Sequence, residues 1–331
     1  MNRSRFKEIA DRFPGLTLLV VGDIMLDEFI WGRVKRISPE APVPVVEVDR
    51  ETSYPGGAAN VARNLRQFSG DVHLLGLIGT NSHAGQLKSL LSAEGISLDC
   101  LVEDPAYQTI VKTRIIARNQ QVVRVDREKK TGLTPLQTSQ ALAQLGNLID
   151  QIDGIIIEDY AKGLLNQELV DAIVAKARAA GKIVTVDPNP NNHLSWAGVS
   201  AIKPNRSEAF AAAGLAQSDP IEPATADTDL LRAGQILLER WNTESLLVTL
   251  SEQGIMLFQR DAAPFHIPTR AQEVFDVSGA GDTTIALFTL ALCAGASATD
   301  AALIANHAAG IVVGKLGTAT LSPAELLASF E

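Results

Sequence analysis

The sequence predicts an α/β fold, in which a mostly parallel central sheet lies between layers of helices and a small β-sheet forms a lid. Five nearly continuous apolar runs read as strands buried on both faces: residues 16–21, 72–78, 154–157, 183–186 and 246–250. Helical patterns separate several of these runs, as in residues 61–68 and 170–177. Strand–helix alternation of this kind predicts a parallel sheet whose ligands lie beyond the carboxyl ends of the strands.

Composition narrows the class of protein. The chain has 331 residues, of which 46% are hydrophobic and 20% charged, so one globular domain over residues 1–331 is expected. A net charge of −9 argues against a nucleic-acid coat. Cys100 and Cys293 are isolated, which excludes a CxxC zinc site. With no signal peptide, and with residues 285–298 as the longest apolar stretch, we expect a cytoplasmic protein without a membrane partner.

Two stretches interrupt the alternation of strands and helices. Residues 28–50 contain Pro39, Pro42 and Pro44, and residues 107–126 read as a hairpin with arms 110–117 and 121–126. We predict that these two segments form the lid. Its exposed strand edges suggest a homodimer in which lids pair across subunits.

Residues 276–282, which read DVSGAGD, carry the strongest chemical signal. A turn of small residues that opens an apolar helix leaves backbone N–H groups, here of Gly279, Ala280 and Gly281, at the positive end of the helix dipole. Such a turn binds anions. Asp282 would repel a phosphate there unless it accepts the proton of an attacking hydroxyl. The alternative is that the glycines allow tight packing and Asp282 only complements the dipole.

A second motif, residues 55–62, reads PGGAANVA. Gly56 and Gly57 allow a sugar to approach the backbone, and Asn60 offers both a donor and an acceptor to hydroxyl groups. Alone, the motif is most often a strand-to-helix turn. Together, the two motifs resemble the signatures of the ribokinase-like, or PfkB, carbohydrate kinases, with Val277 where the family pattern D-T-x-G-A-G-D has Thr. The resemblance spans residues 16–316, and it implies a ribokinase-like three-layer sandwich and ATP-dependent sugar phosphorylation.

The resemblance also implies roles for individual residues. Asp282 would be the catalytic base, and the amides of Gly279, Ala280 and Gly281 would cradle the phosphoryl group. Glu208 would hold Mg²⁺ through water, with Asn189 nearby, although Glu208 also fits a helix capping box with Asn205. A monovalent cation is allowed as a further ion. The expected nucleotide-binding residues are Asn205, Thr249, Ser251, Gly254, Ser278, Gly279, Gly281, Asn306 and Ala309, with His307 packing in the adenine pocket wall.

Within the family, the chain resembles the branch that phosphorylates D-glycero-β-D-manno-heptose 7-phosphate to the 1,7-bisphosphate, for the ADP-heptose of lipopolysaccharide. Residues 21–27, 31–46, 54–62, 112–114, 158–163 and 187–189 carry this resemblance, although the branch more often has Ser at the position of Glu158. The expected substrate-binding residues are Asp23, Gly56, Gly57, Asn60, Lys112, Arg114, Arg118, Arg124, Asp159 and Lys162. The five cations of this set would hold the distal phosphate, or they are solvated lid residues. The sequence leaves open whether Asp27, which follows the same strand as Asp23, is only a solvated loop residue.

Two alternatives remain at this point. The first is a ribokinase- or fructokinase-like enzyme with an unphosphorylated acceptor, and the second is a non-catalytic sugar-phosphate sensor on the same fold. A dehydrogenase is disfavoured, because it would need a glycine-rich turn after the first strand, and the chain reads GDIML there. The sequence has no H-x-G-H motif, so we expect no nucleotidyltransferase domain and only the kinase step.

Overall fold

The computed structural model of the protein describes residues 1–118, 120–270 and 274–330. The strands are β1 Thr17–Gly22, β2 Ile24–Ile37, β3 Pro44–Gly57, β4 Asp71–Leu75, β5 Leu77–Ile78, β6 Val102–Glu103, β7 Ile110–Ala117, β8 Gln120–Arg127, β9 Gly154–Glu158, β10 Ile183–Asp187, β11 Ala201–Ile202, β12 Ser245–Thr249, β13 Ile255–Gln259 and β14 Phe265–Ile267. The α-helices are α1 Arg3–Ala10, α2 Ala58–Arg66, α3 Ser82–Ala93, α4 Pro135–Leu148, α5 Gln167–Ala179, α6 Arg206–Ala213, α7 Thr228–Trp241, α8 Ala280–Cys293, α9 Ala298–Val312 and α10 Pro323–Ala328.

The central sheet is mostly parallel. In the described ranges it has eight strands in the order β14-β13-β12-β11-β10-β9-β1-β4. In this order, each pair of neighbouring strands from β12 through β4 is parallel. Strands β13 and β14 add an antiparallel edge next to β12. The predicted sheet is therefore confirmed. The predicted strand 72–78 is divided at Gly76, which packs against Ile24, so that β5 pairs with β6 in a separate two-stranded sheet.

Helices cover both faces of this sheet, which gives the predicted three layers. Leu18 and Val20 of β1 pack in the core beneath α2, α8 and α9. Leu19 and Val21 face the opposite way, into the core beneath α4, α5 and α7. This two-sided burial explains why β1 reads as a continuous apolar run rather than an alternating one.

The small sheet predicted as a lid is also present. Among the described residues it has four strands in the order β3-β2-β7-β8, with β2 and β7 parallel and the outer pairs antiparallel. Its first two strands reach from Ile24 to Gly57, beyond the predicted segment 28–50 on both sides. Met25 and Leu26, which follow the first strand in the sequence, belong to β2 and are buried in the body of the protein. The predicted hairpin corresponds to β7 and β8, which ends at Arg127 rather than Asp126.

The lid adjoins the carboxyl ends of the central strands. β2 begins two residues after β1 ends, and β3 leads directly into α2. The space between lid and sheet is therefore lined by the residues that follow parallel strands, where α/β folds place their ligands. No helix within the described ranges is both long and apolar enough to cross a bilayer.

Candidate active site

The turn before α8 has the geometry of an anion site. Gly279 is the N-cap residue of α8 and has φ +82°, a conformation that favours glycine. Asp276 shapes the turn, because its carboxylate accepts the N–H of Ser278 at 2.9 Å and the N–H of Gly317 at 3.1 Å. The Ala280 N–H already donates to the Val277 carbonyl at 3.2 Å, so the predicted cradle of three amides is reduced to the N–H groups of Gly279 and Gly281 at the positive end of the helix.

Asp282 lies in the first turn of α8 and is only 8% exposed. Asn60 Nδ2 donates to its Oδ2 at 2.6 Å, and the Tyr160 hydroxyl donates to its Oδ1 at 3.0 Å. Burial, together with the nearby charge of Asp187, raises the pKa of Asp282 to about 6, against the two hydrogen bonds, which lower it. A carboxylate whose pKa lies near neutrality is suited to accept a proton from a hydroxyl group.

A cation lies beside this turn. Lys203 Nζ is 2.7 Å from Asp187 Oδ2 and 3.4 Å from the point where a Cβ on Gly281 would stand. Burial lowers the pKa of Lys203, but the charge of Asp187 outweighs it, so the pKa is raised overall and the ammonium stays charged. An ammonium there would attract an anion bound at the start of α8.

Asp282 opens into a cleft of about 590 Å³ between the sheet and α9. Many of the predicted site residues line this cleft: Asn189, Asn205, Glu208, Thr249, Ser251, Gly254, Ala280, Gly281, Asp282, Asn306 and Ala309. Ser278 and Gly279 belong to the turn at its edge. The structure therefore brings the predicted nucleotide, metal and base residues together, although their roles stay predictions.

The two predicted metal residues also have local structural roles. Asn205 and Glu208 form a reciprocal capping box, in which the Asn205 N–H donates to Glu208 Oε2 at 2.7 Å. Asn189 Oδ1 accepts the N–H of Asn191 at 3.0 Å. Each side chain still lines the cleft, so capping and metal binding are compatible for Glu208.

Predicted sugar residues surround the other side of Asp282. Asp23 is buried, and its carboxylate accepts the backbone N–H groups of Tyr160, Lys162 and Leu164 at 3.2, 2.9 and 3.2 Å. Asp23 therefore holds the loop after β9, and contact with a sugar remains a prediction. Asp159 accepts the N–H of Ala161 at 2.8 Å.

Asp27 is not the solvated loop residue that the sequence left open. It lies in β2, is buried, and forms an ion pair with Arg114. Its Oδ2 would be 2.3 Å from a Cβ on Gly56, so a larger residue at that position would displace the Asp27 carboxylate. Gly57 has φ +60° and leads into α2, which places Asn60 on Asp282.

The lid cations are paired with carboxylates. Lys112 contacts Asp126 and Glu128, each at 3.2 Å, and Lys162 contacts Glu128 at 2.7 Å. Arg124 pairs with Asp126 at 2.8 Å. In the described part of the chain, Arg118 forms no ion pair. The five predicted cations thus do not form one free anion pocket.

His307 behaves as the sequence predicts. It is buried on α9, its ring stacks on Phe330 with centroids 3.9 Å apart, and its Nδ1 lies 3.0 Å from Ser329 Oγ. Burial lowers its pKa to about 4, so the ring is neutral near pH 7. It packs behind the cleft rather than in it.

Among the cleft residues that sequence reasoning did not assign to the site, three are charged or polar groups close to Asp187 or Asp282: Glu158, Tyr160 and Lys203. All three lie in segments that carried the resemblance or the metal motif, EDYAKG and KPNRSE. Their position directly after predicted strands was the available signal. Their contacts with Asp187 and Asp282 depend on which strands are neighbours, which the sequence does not state.

Comparison with known proteins places this geometry in context. The pattern described as pfkB family carbohydrate kinase matches residues 16–325. Over 329 residues the chain is 41% identical to the Bifunctional protein HldE of Geobacter sulfurreducens, covering 99% of this chain and 66% of that protein. It is 44% identical over 310 residues to the protein of the same name from Photobacterium profundum, covering 94% and 62% respectively. The chain therefore spans at most about two thirds of these relatives (66% and 62%).

Solved structures share the fold at lower identity. Arabidopsis thaliana ribokinase complexed with ribose and ATP superposes with a TM-score of 0.70 at 16% identity, covering 95% of this chain and 98% of that one. Phosphofructokinase-2 from Escherichia coli in complex with potassium gives 0.75 at 19% identity, covering 94% and 96%. These likenesses show a ribokinase-like fold.

Proposed function

The chain belongs to the pfkB family of carbohydrate kinases, and from this premise we propose that its ATP-dependent reaction phosphorylates the C1 hydroxyl of D-glycero-β-D-manno-heptose 7-phosphate. The observation that carries the proposal is the placement of Asp282. Its carboxylate lies in the first turn of α8, beside an anion-binding turn, and opens into the cleft.

The mechanism is in-line transfer of the γ-phosphoryl group. Asp282 accepts the proton of the attacking hydroxyl, while Asn60 and Tyr160 hold the carboxylate in place through their hydrogen bonds. The amides of Gly279 and Gly281, with the Lys203 ammonium beside them, offset the charge of the phosphoryl group. Holding ATP and the acceptor in one cleft supplies the rest of the rate enhancement, because phosphoryl transfer needs little covalent chemistry from the protein.

The residues present also suit a magnesium ion. Glu208 and Asn189 line the cleft with oxygen atoms, and the buried Glu158 Oε2 has no donor among the described residues. When bound with ATP, Mg²⁺ would neutralise charge on the phosphates. Glu208 and Asn189 are the residues that we propose to hold it.

Two features support a heptose 7-phosphate as acceptor. The relatives that share 41% and 44% of their residues over most of this chain are both named HldE. The sequence blocks 31–46 and 158–163 resemble the branch that acts on this sugar in the synthesis of ADP-heptose for lipopolysaccharide. Cations of the lid would contact the 7-phosphate after exchanging their present carboxylate partners.

The ion pairs that the lid cations already form favour a second candidate for the acceptor. Because Lys112, Arg114, Arg124 and Lys162 already have carboxylate partners, the lid as it stands does not need an anion. An unphosphorylated hexose or pentose would leave these ion pairs intact. A fructokinase- or ribokinase-like activity is therefore the alternative.

A panel of acceptors separates the two candidates. The purified chain is incubated with ATP and Mg²⁺ and with D-glycero-D-manno-heptose 7-phosphate, the same heptose without its phosphate, ribose or fructose. Phosphorus NMR of the product identifies the oxygen that was phosphorylated. Turnover only with the 7-phosphate supports the proposal, whereas equal turnover of the unphosphorylated heptose contradicts it.

We also propose a homodimer that forms through the lid. Val123 and Val125 of β8 are exposed on the face opposite Asp27 and Arg114, where strand register places Ile30 and Ile115 beside them. An exposed apolar sheet face of this kind is typical of an interface between subunits.

A further inference from the structure

One carboxylate beside the lid bridges two ammonium groups. Glu128 Oε2 lies 3.2 Å from Lys112 Nζ, and Glu128 Oε1 lies 2.7 Å from Lys162 Nζ. Lys112 belongs to β7 of the lid, whereas Lys162 belongs to the loop that follows β9 in the body of the protein. Two cations that hold one carboxylate between them form an anion site that the chain itself already fills.

This bridge adjoins the loop that contacts the proposed base. The Lys162 N–H donates to Asp23 Oδ2 at 2.9 Å, and Tyr160 in the same loop donates through its hydroxyl to Asp282 Oδ1 at 3.0 Å. The segment after Glu128 packs on this loop too, because the Thr131 N–H donates to the Lys162 carbonyl at 2.9 Å. The bridged ammonium groups therefore lie on the acceptor side of Asp282, at the inner end of the lid.

The other carboxylates that pair with lid cations are less free to leave them. Asp27 is buried and pairs with Arg114, so its removal would leave a cation without a partner in a poorly solvated place. Asp126 lies within β8 and accepts two hydrogen bonds from Arg124, at 2.8 and 2.9 Å. Glu128 follows the end of β8, before α4 begins, and its side chain is 28% exposed. Its carboxylate can therefore exchange the two ammonium groups for water.

A phosphate monoester has the chemistry to compete with this carboxylate. Burial raises the pKa of Glu128, but its hydrogen bonds with Lys162 and Lys112 outweigh burial, so the pKa is lowered overall and the group is ionised at pH 7. Ionised Glu128 carries one negative charge. A phosphate monoester carries about 1.5 to 2 and offers three acceptor oxygens, so it suits a pair of ammonium groups better.

We propose that Glu128 is an internal competitor for the phosphate of the acceptor. It occupies the subsite between Lys112 and Lys162 in the free enzyme, and a phosphate group must displace it in order to bind. The inference rests on the proposed function only for the identity of the acceptor as a sugar phosphate. A neutral sugar does not displace Glu128, and a monoanion gains little by replacing it. Glu128 thus sets how strongly the subsite binds a phosphorylated acceptor.

Inorganic phosphate is the first probe of this subsite. It is titrated by calorimetry into the whole chain in the presence of Mg²⁺ and a saturating non-hydrolysable ATP analogue, which occupies the anion-binding turn before α8. We expect Glu128→Gln to bind phosphate about three- to tenfold more tightly than the wild type, because glutamine keeps the size of the side chain but not its charge. The double variant Glu128→Gln, Lys162→Met should lose this gain, since one of the two ammonium groups is then missing.

The matched control is Glu47→Gln. Glu47 lies on β3 of the lid, pairs with Lys35 at 2.6 Å, and is separated from the bridge by roughly 20 Å along the strands. Its substitution removes the same charge and one lysine pair, yet phosphate affinity should stay within about twofold of the wild type. Equal gains in Glu47→Gln and Glu128→Gln would indicate a general effect of charge and would overturn the proposal. Unchanged, weaker or undetectable phosphate binding in Glu128→Gln would overturn it as well.

Turnover separates this inference from the identity of the acceptor. With D-glycero-D-manno-heptose 7-phosphate, Glu128→Gln should lower KM about three- to tenfold and leave kcat within about twofold, because Glu128 contacts lysines rather than the base. A raised KM with a lowered melting temperature would show that Glu128 only supports the lid, contrary to the proposal. If neither protein phosphorylates this sugar, the proposed acceptor is wrong, and the phosphate titration still decides the role of Glu128.

Discussion

Asp282 is the side chain on which the main contacts of the candidate active site converge. Its carboxylate lies next to an anion-binding turn, accepts hydrogen bonds from Asn60 and Tyr160, and is buried near Asp187. Each of these contacts comes from a different part of the chain, so each gives a separate experiment at the level of single residues.

The first experiment replaces the proposed base. Asp282→Asn keeps the size of the side chain but cannot accept a proton from the substrate hydroxyl, so turnover should fall by about 10²–10⁴. Binding of ATP and sugar, measured by calorimetry, should change little. A kcat close to that of the wild type would contradict the role of Asp282 as base.

The second concerns the pH dependence of the free enzyme. Because burial raises the pKa of Asp282 to about 6, the ionised base is lost as the pH falls below about 6. We expect kcat/KM to fall about tenfold per pH unit on the acid side of that value. Asn60 donates to the carboxylate and lowers its pKa, so Asn60→Ala should move the acid limb to higher pH. An unchanged limb in that variant would argue that another group titrates.

The third links the same carboxylate to stability. A carboxyl group whose pKa rises from 3.8 to about 6 on folding binds more protons in the folded state, so its ionisation destabilises the fold as the pH rises between these values. Asp282→Asn removes that penalty and should increase the free energy of unfolding at pH 7 by about 1–3 kcal/mol. Urea unfolding at pH 4 and pH 7 tests this, with little difference expected at pH 4. Equal destabilisation at both values would contradict it.

Single residues also show where sequence reasoning ends. The motif at residues 276–282 predicted Asp282 and the amides of its turn as site groups, because a glycine turn at a helix start has chemical meaning by itself. Tyr160 and Lys203 were not predicted, because their importance depends on distant partners. The partner of Tyr160 lies 122 residues away, and that of Lys203 lies 16 residues away. The ion pairs of the lid were missed for the same reason, since they follow from the register of β7 against β8.

At the scale of elements, the start of α8 requires a glycine for its backbone conformation. A Cβ on Gly279 would be 3.0 Å from Asn60 Nδ2, and its φ of +82° is unfavourable for other residues. Gly279→Ala should therefore displace Asn60 from Asp282 and lower kcat by about tenfold or more.

Gly181 provides a matched control for this substitution. It has φ +65°, but a Cβ there meets nothing within 4 Å. Gly181→Ala should cost about 1 kcal/mol of stability from backbone strain and leave kcat unchanged. Similar kcat in the two variants would show that the turn at Gly279 has no catalytic importance.

The elements themselves were largely predictable. β1, β9, β10 and β12 read correctly because burial on both faces leaves a continuous apolar run. The extent of β2 and β3 was not predictable, because the inner end of β2 is apolar and buried like a core strand, whereas residues 52–57 of β3 read TSYPGG, which is typical of a turn. The division of β4 from β5 at Gly76 depends on the approach of Ile24, which is a tertiary contact.

At the scale of the whole molecule, the order of strands and helices was sufficient to predict the three layers, but it does not fix how many subunits assemble. The proposed dimer predicts a mass by light scattering of about twice 35.3 kDa. Val123 is 46% exposed on the lid, and Val123→Asp should shift the protein toward monomer by placing a charge in the interface. The control Leu136→Asp alters a residue that is 70% exposed on α4, away from the lid, and should leave the mass unchanged. A monomeric wild type would eliminate the dimer.

The way in which the lid joins the body has a mechanical consequence. The two long strands, β2 and β3, join the body side by side, where the Ala58 N–H donates to the Asp23 carbonyl at 3.1 Å, and α3 also contacts both strands. A strand of 14 residues such as β2 extends about 45 Å from this junction. A rotation of about 10° with this junction as pivot would carry the distal tip roughly 8 Å, while atoms within about 5 Å of the pivot would shift by less than about 1 Å. Wide opening for a bulky sugar is thus compatible with a nearly stationary Asn60, two residues beyond the pivot, and with an undisturbed base.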